Sequence, residues 1–347
     1  MDDLAKLPQA ERRLYFEQAA ARMGRLTPQL MEKDFWVCWI LRRVFGLADF
    51  DGHLTFKGGT SLSKVYHAIE RFSEDIDLSI ERVFLGFGGD MEPEQGVTGK
   101  EQQRRILALK SACRKAVDTR LYPQLNEALA EQLGESGDWQ LSLDADDPDA
   151  QSILFRFPRA VIDKVSPYFA QSVKVEIGAR SDHFPVEQAT VRPYLGDSIP
   201  EACDDCNVTL RVLAGERTFW EKATILHALF HQPLSKAIQN RQSRHFYDLF
   251  QLTNHQIGRN AVRRLDLLER VAKHKSVFFK SASANYGEAK PGTLKLVPCV
   301  GRIQELKTDY ASMQPMFFSD PPTFEMIIDR LRQLEVEINA SSIVAEV

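Results

Sequence analysis

The sequence predicts an α+β protein of two lobes, a mixed-sheet lobe followed by a mainly helical one, on three observations. Segments with the period-2 alternation of strands lie before residue 214, helical spacing dominates from Glu216 onward, and 347 residues exceed what one hydrophobic core usually serves. With 44% hydrophobic and 27% charged residues the chain has the ordinary globular mix, which excludes a disordered or fibrous protein. Its longest apolar stretches, such as Phe35 to Leu41, fall far short of the roughly 18 to 20 residues that cross a bilayer, so no membrane span is expected. The opening MDDLAKLPQAERRLYFEQ lacks the apolar centre of a secretory signal, and a cytoplasmic protein is expected.

Taken in order, residues 11 to 22 carry a short helical pattern. Thr27 suits the cap and Pro28 the first turn of a packing helix through EKDFWVCWIL, where Phe35, Trp36, Trp39 and Ile40 recur at helical spacing. Leu54 to Phe56 reads as a strand, Gly58-Gly59 as a turn, and Thr60 to Ile69 as a helix. Ser73 to Ile80 alternates as a half-buried strand with both aspartates on one face. Gly86 to Gly99 is glycine-rich and aperiodic, hence a loop; residues 101 to 133 form a helical insertion, and 134 to 150 an acidic loop. Further strands are expected at 153 to 157, 173 to 177 and 208 to 212. The helical half is interrupted by a loop or small hairpin from Phe278 to Pro298, and Pro321 to Ile338 reads as one amphipathic helix. The expected lobes are residues 1–213 and 214–347.

Lys plus Arg total 44 against 48 Asp plus Glu, a formal charge of −4, so any nucleic-acid binding must come from a local patch. The basic runs are Arg104, Arg105, Lys110, Arg114 and Lys115, then Arg263, Arg264, Arg270, Lys273, Lys275 and Lys280. Either run is a candidate for RNA, and a solvated helix face explains each equally well. Five cysteines are too few for a disulfide framework. Cys203-Asp-Asp-Cys206 lacks the second ligand pair of a zinc finger and reads as loop cysteines in a reducing cytosol.

Asp75 and Asp77, at i and i+2 on a strand, lie on the same side and invite a divalent cation. The turn Gly58-Gly59-Thr60-Ser61 opens a helix, where free backbone N–H groups and the positive helix end suit phosphate oxygens. It is not a Walker P-loop, because Ser63 rather than glycine precedes Lys64. A phosphate cradle followed by a two-aspartate strand is the arrangement that holds a nucleoside triphosphate by its Mg²⁺ and its phosphates together. His245 has no Ser or Cys elbow to serve, and the His227/His231 pair lies in HALFH, without the Glu of a zinc protease, so it reads as a helix-surface pair.

KGGTSLSK followed by SEDIDLSI resembles the nucleotidyltransferases of the AbiEii/AbiGii toxin group, relatives of the MenT toxins. EKDFWVCWIL, VKVEIG, ERTFWEKATILHAL and RHFYDLFQL resemble further motifs of that group, so the likeness spans residues 31 to 252 discontinuously. The resemblance implies a nucleotidyltransferase fold whose helical lobe closes over the nucleotide. It implies that Gly59 and Thr60 contact the triphosphate, with Gly58, Ser61 and Lys64 completing or supporting the loop. Asp75 and Asp77 would bind Mg²⁺ or Mn²⁺, and Glu176 would complete the metal site or act as base, with Asp182 as its competitor. Lys222 would bind phosphate, Asp248 would be the essential late acid, and Arg244 would lie on the same helical face. An Arg244–Asp248 helix pair is the plain alternative. The implied activity is transfer of a nucleoside monophosphate from an NTP to RNA, at the tRNA 3′ end, blocking translation, with a cognate antitoxin encoded alongside. Competing readings are a protein-modifying nucleotidyltransferase or kinase using the same site, or a non-catalytic binding protein of the same fold.

Overall fold

In the computed structural model, which describes residues 1–135, 137–162 and 170–340, the chain starts with α1 (Asp2–Lys6), α2 (Gln9–Met23) and α3 (Pro28–Phe45). Thr27 caps α3 as its sequence demands, its hydroxyl accepting the Leu30 N–H at 3.3 Å, and Pro28 occupies the first turn. Then follow β1 (Leu54–Lys57), α4 (Gly58–Lys64), β2 (Ile76–Ile80), α5 (Gly99–Ala116) and α6 (Tyr122–Leu133). The sheet is completed by β3 (Gln140–Leu143), β4 (Ser152–Arg156), β5 (Val173–Gly178), β6 (Val186–Val191) and, after the short α7 (Tyr194–Ser198), β7 (Val208–Leu213).

The strands form one seven-stranded mixed sheet in the order β3-β4-β5-β2-β1-β7-β6. β2 lies at its centre, antiparallel to β1 and parallel to β5. The α+β class with a mixed sheet is therefore as expected. Two strands were not: β3 falls within the acidic segment read as loop, and β6 is a solvent-facing strand at the sheet edge, without apolar alternation. A core of aromatic rings joins α3 to β4, with Trp36 and Trp39 fully buried and Trp39 stacked on Phe155 at 5.9 Å between centroids. The cysteine reading is corrected: Cys203 and Cys206 are buried and disulfide-bonded, their Cα atoms 5.1 Å apart.

Two compact units emerge, Met1–Val65 with Phe72–Val212, and Tyr66–Arg71 with Leu213–Val347. The second contains α8 (Gly215–His231), α9 (Ser243–Asn254), α10 (Gln256–Ala261), α11 (Leu265–Phe278), α12 (Ile303–Ser312) and α13 (Phe324–Ala340). Its segment Tyr66–Arg71 is stitched in by the Tyr66 hydroxyl, which donates to the Leu213 carbonyl at 2.9 Å, and by the Glu70 carbonyl, which accepts the Phe318 N–H at 3.2 Å. His227 corrects the surface-pair expectation. It is fully buried, with Nε2 on the Asn285 carbonyl at 3.0 Å and Nδ1 accepting the Lys295 N–H at 3.1 Å, so it pins the 285–295 loop to α8. Among the described residues, no helix is long and apolar enough to cross a membrane.

Candidate active site

In the first unit, β1 delivers the chain into Gly58 at φ +82°, a left-handed conformation that disfavours any side chain. Space makes the same demand, since a Cβ at Gly58 would lie 1.9 Å from Asp77 Oδ2. The glycine turn and the second aspartate are thus in direct contact. Asp75 and Asp77 are half-buried while Ile76 and Leu78 are buried, as period-2 alternation requires, so both carboxylates take the polar face. Register places Asp77 opposite Lys57 of β1 on one side and Glu176 of β5 on the other. Glu176 therefore shares the Asp77 face, whereas Asp182 lies beyond the end of β5.

These groups differ in what already holds them. Asp77 has no ion pair among the described residues, whereas Glu176 is bonded to Lys174 at 3.0 Å, and Lys174 also reaches Asp144 at 3.1 Å. Partial burial works against the Lys174 ammonium, but these two carboxylates hold it well above its usual range. Thr60 and Ser61 are buried. The Thr60 hydroxyl donates to the Asp75 carbonyl and Ser61 Oγ donates to the Gly58 carbonyl at 2.9 Å, so both side chains shape the turn. Lys64 is likewise committed, to Asp34 at 2.7 Å. What α4 leaves open at its first turn is backbone, and Lys57 at its N-cap supplies no side-chain cap. His183 lies along the same polar face, its ring nitrogens 2.8 Å from Ser79 Oγ and 3.2 Å from Thr55 Oγ1. Burial, then Arg211, pulls its imidazole down to about 4, which keeps it neutral.

Among the described residues, no three His, Cys, Asp or Glu side chains gather tightly enough to hold a metal ion. The donors present are nonetheless carboxylate oxygens, the chemistry that hard divalent cations take. The aspartate pair beside the glycine turn offers such donors, and Glu176 lies on the Asp77 face but is paired with Lys174.

In the second unit, Asp248 is fully buried on α9. Its expected partner Arg244, one turn away, makes no ion pair among the described residues. The partners are instead Arg71, in two bonds of 2.7 and 2.9 Å, and Lys222 of α8 at 2.8 Å. Burial alone would raise the Asp248 carboxyl, but Arg71 and Lys222 hold it far below the usual range, so it stays ionised. Lys222 also donates to His245 Nδ1 at 3.1 Å; burial, then Lys222 and Arg244, keeps that imidazole neutral. Three cations, Arg71, Lys222 and Arg244, therefore accompany one buried anion, an excess suited to phosphate. Sequence reasoning missed Arg71; its only signal was position, in the segment between the glycine-turn helix and SEDID.

The basic runs are partly consumed internally. Arg105 binds Glu101, Lys110 binds Asp149, Arg264 binds Asp266, and the Lys275 ammonium donates to the Glu221 carbonyl.

The profile described as Nucleotidyl transferase AbiEii toxin, Type IV TA system, matches residues 39–330. The chain belongs to this family. Among solved structures, MenT4, a nucleotidyltransferase toxin from Mycobacterium tuberculosis H37Rv, aligns over 95% of this chain and 88% of its own at 19% identity, with a TM-score of 0.51, a likeness of fold. JHP933 from Helicobacter pylori aligns over 91% of this chain and 99% of its own at 14% identity, with a TM-score of 0.35. No curated protein matches. Membership in the AbiEii family makes the chain a nucleotidyltransferase toxin and agrees with the resemblance drawn from its glycine-turn and two-aspartate motifs.

Proposed function

We propose that this AbiEii-family toxin transfers a nucleoside monophosphate from an NTP to an RNA hydroxyl, at the tRNA 3′ end, and so blocks translation. The contact between Gly58 and Asp77 carries the reading, because it brings an uncapped helix start and a carboxylate to one point. Asp75 and Asp77, with Glu176, would hold Mg²⁺ or Mn²⁺, which when bound supplies positive charge at the reacting phosphate. The Gly58 and Gly59 N–H groups would orient phosphate oxygens. By the family resemblance, Lys222 would bind phosphate and, with Arg244 on the helical face of Asp248, would offset the charge of the departing pyrophosphate. Asp248 would hold Lys222 in place, and neutral His245 would keep a second acceptor on that ammonium. Alternatively to completing the metal site, Glu176, once freed from Lys174, would take the proton of the attacking hydroxyl. A cognate antitoxin encoded alongside would restrain the toxin in a cytoplasmic setting.

The test incubates the protein with Mg²⁺, each α-labelled NTP and total RNA. One labelled small-RNA band, absent with Asp75→Ala and Lys222→Ala, is expected. Label in protein, or transfer only from the γ-phosphate, would replace this reading with protein modification or a kinase. Growth inhibition that survives Asp77→Asn would favour a non-catalytic binder.

A further inference from the structure

Three consecutive charged residues of α3, Glu32, Lys33 and Asp34, are 2%, 3% and 1% exposed. Successive helical residues point about 100° apart, so no single polar face accommodates all three. Each instead reaches a different segment. Glu32 accepts the N–H groups of Ala160 and Val161. Lys33 pairs with Glu74, the residue before Asp75, in a bridge whose side chains are 4% and 5% exposed. Asp34 accepts from Lys64, at the end of the glycine-turn helix, and from the Tyr194 N–H at 2.6 Å, while the Lys64 ammonium sits 3.5 Å from the Tyr194 ring centroid.

These bonds close a circuit. Lys33 holds Glu74; the Asp75 carbonyl next to it accepts from Thr60 of α4; α4 ends in Lys64; Lys64 returns to Asp34. Two buried ion pairs are poor net stabilisers, because desolvation of four charges offsets most of their attraction. They do tie α3 to two further segments, to Glu74 just before β2 and to Lys64 at the end of α4.

We infer that Lys33 and Asp34 are positioning residues that set Asp75 against the glycine turn, and thereby set the affinity of this site for a divalent cation. The inference rests on the proposed metal role of Asp75. It distinguishes α3 from an ordinary packing helix, whose charges would be exchangeable for apolar groups of equal volume.

The test compares wild type, Lys33→Met and Lys33→Met/Glu74→Met by urea unfolding, Mn²⁺ binding followed by electron paramagnetic resonance, and nucleotidyl transfer. The single variant removes the Lys33 ammonium from the buried Glu74 carboxylate and unfolds at lower urea. The double variant regains part of that stability, because an apolar pair replaces an ionic one while the Ala170 carbonyl loses its Lys33 donor, yet binds Mn²⁺ about tenfold more weakly, the scale of loss when groups supporting metal ligands are removed. A double variant with wild-type Mn²⁺ affinity and turnover overturns the inference. Should the double variant not fold, Glu74→Asp decides. It keeps the ion pair while shortening its reach, and weakened Mn²⁺ binding in a folded protein supports positioning, whereas unchanged binding overturns it. Absence of Mn²⁺ binding by wild type overturns the metal reading itself, a result distinct from an unaffected double variant.

Discussion

Asp248→Asn is expected to destabilise the helical unit more than any surface substitution. The carboxylate accepts three charge-assisted bonds, two from Arg71 and one from Lys222, and all three side chains are buried, at 0%, 1% and 7% exposure respectively. Asparagine keeps one acceptor and turns an NH₂ toward two buried cations, which lose the charge that offset theirs. Breaking a buried pair in this way costs about 3–5 kcal/mol. For a unit of this size that corresponds to a fall in Tm of roughly 10–15 °C. Circular dichroism melts and urea titration would read it, with Arg244→Ala as control. Arg244 is half-buried and makes no ion pair among the described residues, so its loss should stay within about 0.5 kcal/mol while raising KM for the NTP. An Asp248→Asn protein whose Tm stays within about 2 °C of wild type, less than 1 kcal/mol on the same scale, would refute the buried cluster.

Gly58→Ala should lose transfer activity by about 100-fold, the scale of an ångström-sized misplacement, because the new methyl group displaces Asp77; kinetics with folded protein would check it. Lys64→Met should lower Tm by roughly 10 °C, as it leaves Asp34 buried without its cation. His183 makes a pH prediction. Its folded-state value, about 4, lies below the ordinary 6.5, so the unfolded chain takes the proton first as pH falls. Its contribution is complete above about 6.5 and is lost progressively toward pH 4, by at most about 3 kcal/mol. Urea unfolding across that window should show the decline, and His183→Gln should flatten it.

What could be read from the chain was local and periodic. DIDLSI alternates and so announces a strand with Asp75 and Asp77 on one face; Thr27-Pro28 announces a helix start. β6 was hidden because VEQATV is largely exposed, leaving no apolar alternation to detect, and β3 because four residues emerge from an acidic stretch. Partners distant in sequence were invisible. Asp248 looked like the mate of Arg244 because they are one helical turn apart, while its true partner Arg71 lies 177 residues away. EKDFWVCWIL read only as a packing helix because nothing in the sequence links Lys33 to Glu74 or Asp34 to Lys64. That Glu176 lies beside Asp77 came only from the pairing of β5 with β2, a register that spans 99 residues of chain.

The most direct measurement is a crystal structure with Mn²⁺ and a non-hydrolysable NTP, using anomalous scattering to locate the metal. An anomalous peak bonded to the carboxylates of Asp75 and Asp77, with phosphate oxygens against the Gly58 and Gly59 backbone, is the predicted result. A bound nucleotide whose phosphates lie away from that turn, with no metal on either aspartate, would contradict the account.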